Sequence, residues 1–216
     1  MPDPVLHISW ASTIATTPNL LCACADGSIK LWDASKNNTT TIGKHTRAVI
    51  KVDFIEEQKL VVALSFNSLA FWDSRSNQPA MQLPFSDIHP AYMSYFHPFI
   101  AVLANENKVG ITCISHIFQA NNLMFEAVID NKLKKAYTSF EGFPGTLDHV
   151  QGYIIGNVEG RCEVKQFSTS YDQLRDEKNE KGNFTFKAHN EGSENFAVNT
   201  LSYNPAYGTF ITGVIN

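Results

Sequence analysis

The sequence predicts an all-β fold in which a unit of about 40 residues recurs. Two similar segments, IKLWD at residues 29–33 and LAFWD at residues 69–73, place their Trp-Asp steps 40 positions apart. A third segment, VGITC at residues 109–113, keeps the alternation another 40 positions on but lacks Trp-Asp. A fourth, VEGRCEV at residues 158–164, aligns with ADGSIKL at residues 25–31. The segments at 158–164 and 25–31 each contain an acidic residue followed by glycine, which is typical of a tight turn that leads into a strand.

The second repeat shows the strands of the unit most clearly. Its four strand-like segments are residues 49–54, 59–65, 69–73 and 81–83, and His45 precedes the first of them. Four short strands in about 40 residues are typical of a propeller blade of the WD-repeat type. A single blade cannot bury both of its faces, so it is stable only when neighbouring blades cover them.

The spacing of the motifs predicts where the repeats lie. We expect one partial WD-repeat β-propeller over residues 1–216, with repeats at roughly 5–44, 45–87, 88–130 and 131–190 and a partial one at 191–216. At about 40–45 residues a blade, a seven-bladed ring needs roughly 300 residues, so these four to five blades predict an incomplete propeller of the seven-bladed type. Residues 168–182 are polar and lack strand periodicity, so we predict an exposed loop there.

Composition narrows the function classes. The net charge of −4 gives no support to a general nucleic-acid-binding role, and no apolar run approaches the roughly 18 residues of a membrane span. The first residues lack the features of a secretory signal, so we interpret the four cysteines as reduced thiols of a cytoplasmic or nuclear protein. No catalytic motif is present in the sequence, and we predict no enzymatic activity, no cofactor and no metal site.

The Trp-Asp pairs have a structural interpretation and a ligand-binding alternative, and we favour the first. A buried indole N–H needs a hydrogen-bond partner, and polar residues of the same blade can supply one. The predicted structural network comprises Trp32, Asp33, Trp72, Asp73, His45 and Ser65.

Three segments carry a resemblance to a known family. They are NFTFKAH at residues 183–189, GNVEGR at 156–161 and FWDSRSNQP at 71–79. They resemble the WD-repeat nuclear-pore mRNA export factor family (Rae/Gle type), whose close relative is the mitotic checkpoint WD-repeat protein that partners the Bub kinases. The resemblance covers nearly the whole chain. It implies a non-enzymatic propeller of the seven-bladed type, with the first and the closing blades outside these 216 residues.

The resemblance also implies a partner and a site. Members of this family bind a short acidic segment, the GLEBS motif, which is carried by a nucleoporin or by checkpoint kinases. The family uses the arginine at the position of Arg161 to hold a glutamate of that segment, and a planar guanidinium suits a carboxylate because it bonds with two N–H groups at once. The predicted peptide-binding residues are Arg161, Lys187, Phe184 and Phe186.

Alternatives remain open at each of these positions. Arg161 has two acidic neighbours, Glu159 and Glu163, with which it can form a local salt bridge. One or both phenylalanine rings can belong to the core instead of the site. The family motif continues with an arginine where this chain has Asn190, so we expect one basic contact fewer.

The leading functional prediction is a scaffold for mRNA export in the nucleus, at the nuclear pore and envelope, and in the cytoplasm. Its partner is an acidic nucleoporin peptide; RNA is bound only indirectly or weakly, and no membrane is bound. One alternative is a spindle-checkpoint adaptor that binds checkpoint kinases. Another, of a different class, is a cullin ubiquitin-ligase substrate receptor, which rests on the Trp-Asp-x-Arg box that ends at Arg75.

Overall fold

Four sheets of four strands each dominate the computed structural model, which describes residues 4–11, 19–76, 78–85, 88–104, 107–145, 151–167 and 182–215. In every sheet the strands follow one another in chain order, as in an antiparallel meander. This arrangement is that of WD-repeat propeller blades, and the predicted all-β class is confirmed. The loop predicted at 168–182 lies, except for its last residue, outside the described residues.

The first two sheets are formed from the first 84 residues. The first sheet contains β1 (Val5–Trp10), β2 (Asn19–Cys24), β3 (Ser28–Asp33) and β4 (Asn38–Lys44). The second sheet contains β5 (Val49–Ile55), β6 (Leu60–Ser65), β7 (Ser68–Asp73) and β8 (Pro79–Pro84). The four strands predicted for the second repeat are therefore present, with ends that differ by a few residues.

Two further sheets and two hairpins follow. The third sheet contains β9 (Pro90–Phe96), β10 (Phe99–Ala104), β11 (Lys108–Cys113) and β12 (Ala127–Asp130). The fourth contains β13 (Tyr137–Phe143), β14 (Gln151–Asn157), β15 (Arg161–Phe167) and β16 (Phe184–Lys187). The hairpins are β17 (Asn190–Glu191) with β18 (Glu194–Asn195), and β19 (Thr200–Asn204) with β20 (Thr209–Gly213).

A short helix, α1 (Ile114–Ala120), connects β11 to β12. It buries Ile114 and Ile117 and belongs to no predicted element. Throughout the described ranges no helix combines the length and the hydropathy that a membrane crossing requires.

The chain forms two compact units. The first unit comprises residues 1–92 with 119–123, and the second comprises 93–118 with 124–216. In the first unit, the alternating apolar residues of the first and second sheets form a common core that includes Leu21, Ile29, Val52, Val61 and Trp72. In the second unit, the fourth sheet forms a core with the hairpin β19–β20, and this core includes Phe143, Ile154, Val164, Phe186, Tyr203 and Phe210.

The repeat alignment corresponds to equivalent positions in the sheets. Trp32, Trp72 and Thr112 are each the fifth residue of the third strand of their sheet. The two acidic-glycine pairs also form the predicted tight turns, because Gly27 and Gly160 have positive φ angles of 86° and 68°. A Cβ atom at either glycine would lie within 2.4 Å of a backbone oxygen, so both turns require glycine.

Candidate functional site

The indole of Trp72 belongs to a buried polar network in the first unit. Its Nε1–H donates to Nε2 of His45 at 3.4 Å, and Nδ1 of His45 lies 3.3 Å from the hydroxyl of Ser68. Because Nε2 accepts, the proton of the neutral ring is on Nδ1, which donates to Ser68. Burial lowers the pKa of His45 to about 4, so the ring stays neutral at pH 7. The hydroxyl against His45 is that of Ser68 and not that of the predicted Ser65, which donates to Asn67 at 3.1 Å.

Trp32 differs from Trp72 although the two positions are equivalent. Its indole N–H donates at 3.3 Å to the side chain of Asn37 in the exposed turn after β3, so no buried network forms around it. The carboxylate of Asp33 accepts the N–H groups of Ser35 and Lys36, which shapes the same turn. The expectation of a buried partner therefore fails for Trp32, because the partner comes from the exposed side of its own turn.

The arginine of the Trp-Asp-x-Arg box is bonded to its own turn. Two guanidinium nitrogens of Arg75 donate to the two carboxylate oxygens of Asp73, at 2.9 and 2.7 Å. The side-chain hydrogen bond from Arg75 holds the pKa of Asp73 at about 2. The arginine on which the ubiquitin-ligase alternative rests is therefore paired with an aspartate two residues away.

Arg161 begins β15 directly after the Gly160 turn. The side-chain oxygen of Asn157, a fully buried residue, accepts the N–H groups of Glu159 and Arg161 at 3.1 and 3.0 Å. The carbonyl of Gly160 accepts the N–H of Ala188 at 2.7 Å, which fastens the end of β16 to the turn. We call these residues, 157–161 and 187–189, the Arg161 corner. Asn157 was not predicted, although an asparagine two residues before an acidic-glycine pair is a recognisable turn signal.

Neither acidic neighbour of Arg161 is bonded to it. The carboxylate of Glu159 lies 3.8 Å from Nζ of Lys135. The buried carboxylate of Glu163 accepts the N–H groups of Lys132 and Leu133 at 2.8 to 3.0 Å. Within the described ranges, the guanidinium of Arg161 has no hydrogen bond and no ion pair. The local salt bridge left open by the sequence is therefore not formed.

Lys187 lies directly across from Arg161. The register of β15 and β16 pairs Arg161 with Lys187 and Glu163 with Thr185. The side chains of Arg161 and Lys187 therefore project from the same face of the sheet. Side chains in directly opposed positions have Cβ atoms about 5 Å apart, and like charges there are destabilising. Lys187 is exposed and, like Arg161, has no acidic partner among the residues that the structure describes.

The two phenylalanines of β16 project from the opposite face. Phe186 is half-buried and stacks near Phe210 of the hairpin β19–β20, with ring centroids 5.7 Å apart. Phe184 is 50% exposed and contacts Phe186 at 5.9 Å. The structure therefore brings Arg161 and Lys187 together and separates both from the two rings, which join or border the core.

The histidine, cysteine and acidic side chains are the groups from which a metal site of this chain would be built. In the described part of the chain, no three histidine, cysteine, aspartate or glutamate residues are arranged to hold a metal ion. All four cysteines are buried, unpaired thiols. The chemistry that the Arg161 corner offers is the binding of an anionic group by two adjacent cations.

Comparison with known proteins identifies relatives. No family model matches the chain. It is 29% identical to the mRNA export factor rae-1 of Caenorhabditis elegans over 98% of the chain and 56% of that protein. It is 27% identical to the Poly(A)+ RNA export protein of Schizosaccharomyces pombe over 97% of the chain and 56% of that protein. The resemblance to the mRNA export factor family is confirmed.

The relatives also include a checkpoint protein. The chain is 26% identical to the mitotic checkpoint protein bub-3 of Caenorhabditis elegans over 87% of the chain and 53% of that protein. The chain spans a little over half the length of each of these three relatives. The similarity to these export factors extends through all four sheets and therefore includes the Arg161 corner.

Proposed function

We propose that this chain is a non-enzymatic interaction scaffold of the mRNA export factor type, which binds an acidic, GLEBS-type peptide of a nucleoporin at Arg161 and Lys187. The observation that carries the proposal is the opposed pair of cations without an acidic partner in the described residues. Such a pair is repulsive in the free protein. A carboxylate that binds between the two cations removes this repulsion and forms charge-assisted hydrogen bonds.

The relatives support the cellular role. Two of them are named for RNA or mRNA export, and the similarity to each covers nearly all of this chain. We accordingly place the chain in the nucleus and at the nuclear pore, with a cytoplasmic pool. The two phenylalanines, proposed as site residues from the sequence, contribute to this site only through the packing of β16, since their rings project from the other face.

A second candidate function is that of a checkpoint adaptor, favoured by the similarity to bub-3. The same pair of cations suits an acidic segment of a checkpoint kinase equally well. Titration with a peptide from each class of partner distinguishes the two roles. At least tenfold tighter binding of the nucleoporin peptide supports the export role, and the reverse order supports the checkpoint role.

The test of the site is titration calorimetry of the 216-residue chain with a synthetic glutamate-rich GLEBS-type peptide. Removing one member of a buried interfacial charge pair costs about 2–5 kcal/mol, so Arg161→Glu weakens binding about thirtyfold or more. The fold persists, because a partly exposed arginine whose guanidinium has no partner among the described residues contributes little to stability.

Two controls make this result specific. Arg75→Glu removes an arginine that is already paired with Asp73 in the first unit, and we expect it to leave the affinity nearly unchanged. A peptide in which every glutamate is replaced by glutamine should bind wild type and Arg161→Glu equally weakly. Equal affinity of wild type and Arg161→Glu for the acidic peptide, with folding intact, contradicts the proposed site.

A further inference from the structure

A lysine-rich segment lies beside the Arg161 corner. Residues 131–135 read Asn-Lys-Leu-Lys-Lys and connect the third sheet to the fourth. The buried carboxylate of Glu163 accepts the N–H groups of Lys132 and Leu133, and Nζ of Lys165 lies 3.3 Å from it. A buried carboxylate with several donors and a counterion is a strong anchor, because breaking any of these contacts leaves a charge unsatisfied. The segment is therefore fixed to β15.

This anchor places the segment on the same face as Arg161. Arg161 and Glu163 are two residues apart on β15, so their side chains project from the same face of the sheet. A second tie fixes the other end of the segment, because the N–H of Val158 donates to the carbonyl of Ala136 at 3.1 Å. The lysine-rich segment and the turn that precedes Arg161 thus run side by side.

The lysines of the segment are turned outward while its apolar residue is turned inward. Leu133 is buried, whereas Lys134 and Lys135 are exposed. The exposed acidic group held against them is Glu159, whose carboxylate lies 3.8 Å from Nζ of Lys135. Glu163 is already matched by Lys165 and two backbone N–H groups. The exposed Asp130 directly precedes the segment, so two exposed carboxylates, Asp130 and Glu159, stand against the three exposed lysines Lys132, Lys134 and Lys135. The exposed charge here is therefore mainly positive.

We propose that Lys134 and Lys135 extend the site of Arg161 and Lys187 into one surface for an acidic peptide, in which a carboxylate of the peptide replaces Glu159 as the partner of Lys135. This inference rests on the proposed function and adds two binding residues to it. It also assigns Glu159 a definite role: as the internal counterion, it competes with the peptide for Lys135.

The competition predicts opposite effects for the two members of one ion pair. Lys135→Gln removes a cation that the peptide uses and weakens binding about two- to fivefold, the range expected for one exposed ion pair. Glu159→Gln frees Lys135 from its competitor and strengthens binding about two- to fivefold on the same basis. The measurement is titration calorimetry of the full chain with the glutamate-rich peptide at two salt concentrations. Both effects shrink at high salt because exposed charges are screened.

The matched control is another ion pair of nearly the same geometry and exposure. Lys59 and Glu56, in the turn between β5 and β6, lie 3.6 Å apart with side-chain exposures of 59% and 45%, against 63% and 44% for Lys135 and Glu159. Lys59→Gln and Glu56→Gln make the same changes in net charge in the first unit. We expect each to alter the affinity by less than the corresponding change at Lys135 or Glu159.

The outcomes separate this inference from the proposed function. Opposite shifts at Lys135 and Glu159, larger than those of the control pair, support the extended surface. If Arg161→Glu abolishes binding while Lys135→Gln and Glu159→Gln leave it unchanged, the extension is wrong and the proposed site stands. Weakening by both changes also overturns the extension, since it means that the ion pair acts structurally. A wild-type chain that does not bind the acidic peptide overturns both proposals.

Discussion

The first and the fourth sheet contain the same turn with opposite electrostatic outcomes. In the first sheet, Gly27 leads into β3, and Ser28 lies opposite Lys44 on β4. In the fourth, Gly160 leads into β15, and Arg161 lies opposite Lys187 on β16. In both, the glycine carbonyl accepts the N–H of the histidine that follows the outer strand.

The acidic residue before each glycine makes the difference. Asp26 accepts the N–H and the hydroxyl of Ser28, which lowers its pKa, and its other oxygen lies 3.7 Å from Nζ of Lys44. In the fourth sheet Asn157 caps the turn, and Glu159 is directed to Lys135 instead. Lys44 in the first sheet is thus neutralised by Asp26, whereas Arg161 and Lys187 in the fourth have no acidic partner among the residues that the structure describes. At equivalent turns, the charged side chains of the first sheet pair with each other, whereas Arg161 and Lys187 of the fourth sheet do not pair with a described acidic residue.

The largest expected effect tests whether the two turns share the same backbone requirement. Gly27→Ala and Gly160→Ala each place a Cβ about 2.3–2.4 Å from the carbonyl oxygen of the following histidine at a positive φ. Each should lower the free energy of unfolding by at least about 2 kcal/mol, measured by urea denaturation. Gly192→Ala is the control, since Gly192 also has a positive φ of 58° but nothing lies near its Cβ position. A cost of about 1 kcal/mol is expected there, and equal costs at all three positions would show that the contact is irrelevant.

These turns were the part of the site that the sequence predicted best. An acidic-glycine pair before an alternating apolar run is local chemistry, and it identified both Gly27 and Gly160. The register that opposes Arg161 to Lys187 is not local, because 25 residues separate them along the chain. The partners of Glu159 and Glu163 come from a segment about 25 to 30 residues earlier, which no pattern around Arg161 indicates.

The division of the predicted site residues between two faces of the sheet follows from the sequence alone. Phe184 and Phe186 have the same parity along β16, and Lys187 has the other, so a strand of period two already separates the rings from the cation. Trp32 shows a different limit: its Trp-Asp motif matches that of Trp72, but a buried network also requires a histidine from elsewhere in the fold. Motifs of neighbouring residues thus predicted turns and strands, whereas side-chain partners depended on contacts between strands.

The effect of intermediate size is the pH dependence of stability that comes from His45, the histidine after β4. Folding lowers the pKa of His45 from 6.5 to about 4. Between pH 6.5 and pH 4, His45 is therefore protonated in the unfolded chain and neutral in the folded chain. Stability is therefore full above pH 6.5 and decreases as the pH falls towards 4, by at most about 1.4 kcal/mol per pH unit. We expect His45→Gln, whose amide oxygen can accept from Trp72, to be less pH-dependent than wild type in urea denaturation at pH 7.5 and pH 5. His7, with a pKa lowered to about 3, remains in both proteins, so parallel pH profiles would exclude the contribution of His45.

The smallest expected effect is that of a lysine-to-glutamate change on the free energy of unfolding, and its sign is opposite at the two turns. Lys187→Glu places a carboxylate opposite Arg161 and turns a repulsive pair into an attractive one, which should raise the free energy of unfolding by a few tenths of a kcal/mol, at most about 1. Lys44→Glu at the equivalent position places a carboxylate beside Asp26 and should lower it by a similar amount. Because both changes replace lysine with glutamate at the end of an outer strand, differences in side-chain propensity cancel in the comparison.

The urea midpoint of each variant measures this difference, and added salt should reduce both shifts because the charges are exposed. Adding Arg161→Ala to Lys187→Glu should cancel the gain, since the new carboxylate then has no cation opposite it. Lys187→Glu should also lower the affinity for the acidic peptide while it raises the free energy of unfolding. A binding site that consists of unpaired cations should show such opposite effects on stability and affinity. If Lys187→Glu destabilises the protein as much as Lys44→Glu does, Arg161 and Lys187 do not repel each other in the free protein. That result would contradict the electrostatic argument for the proposed function.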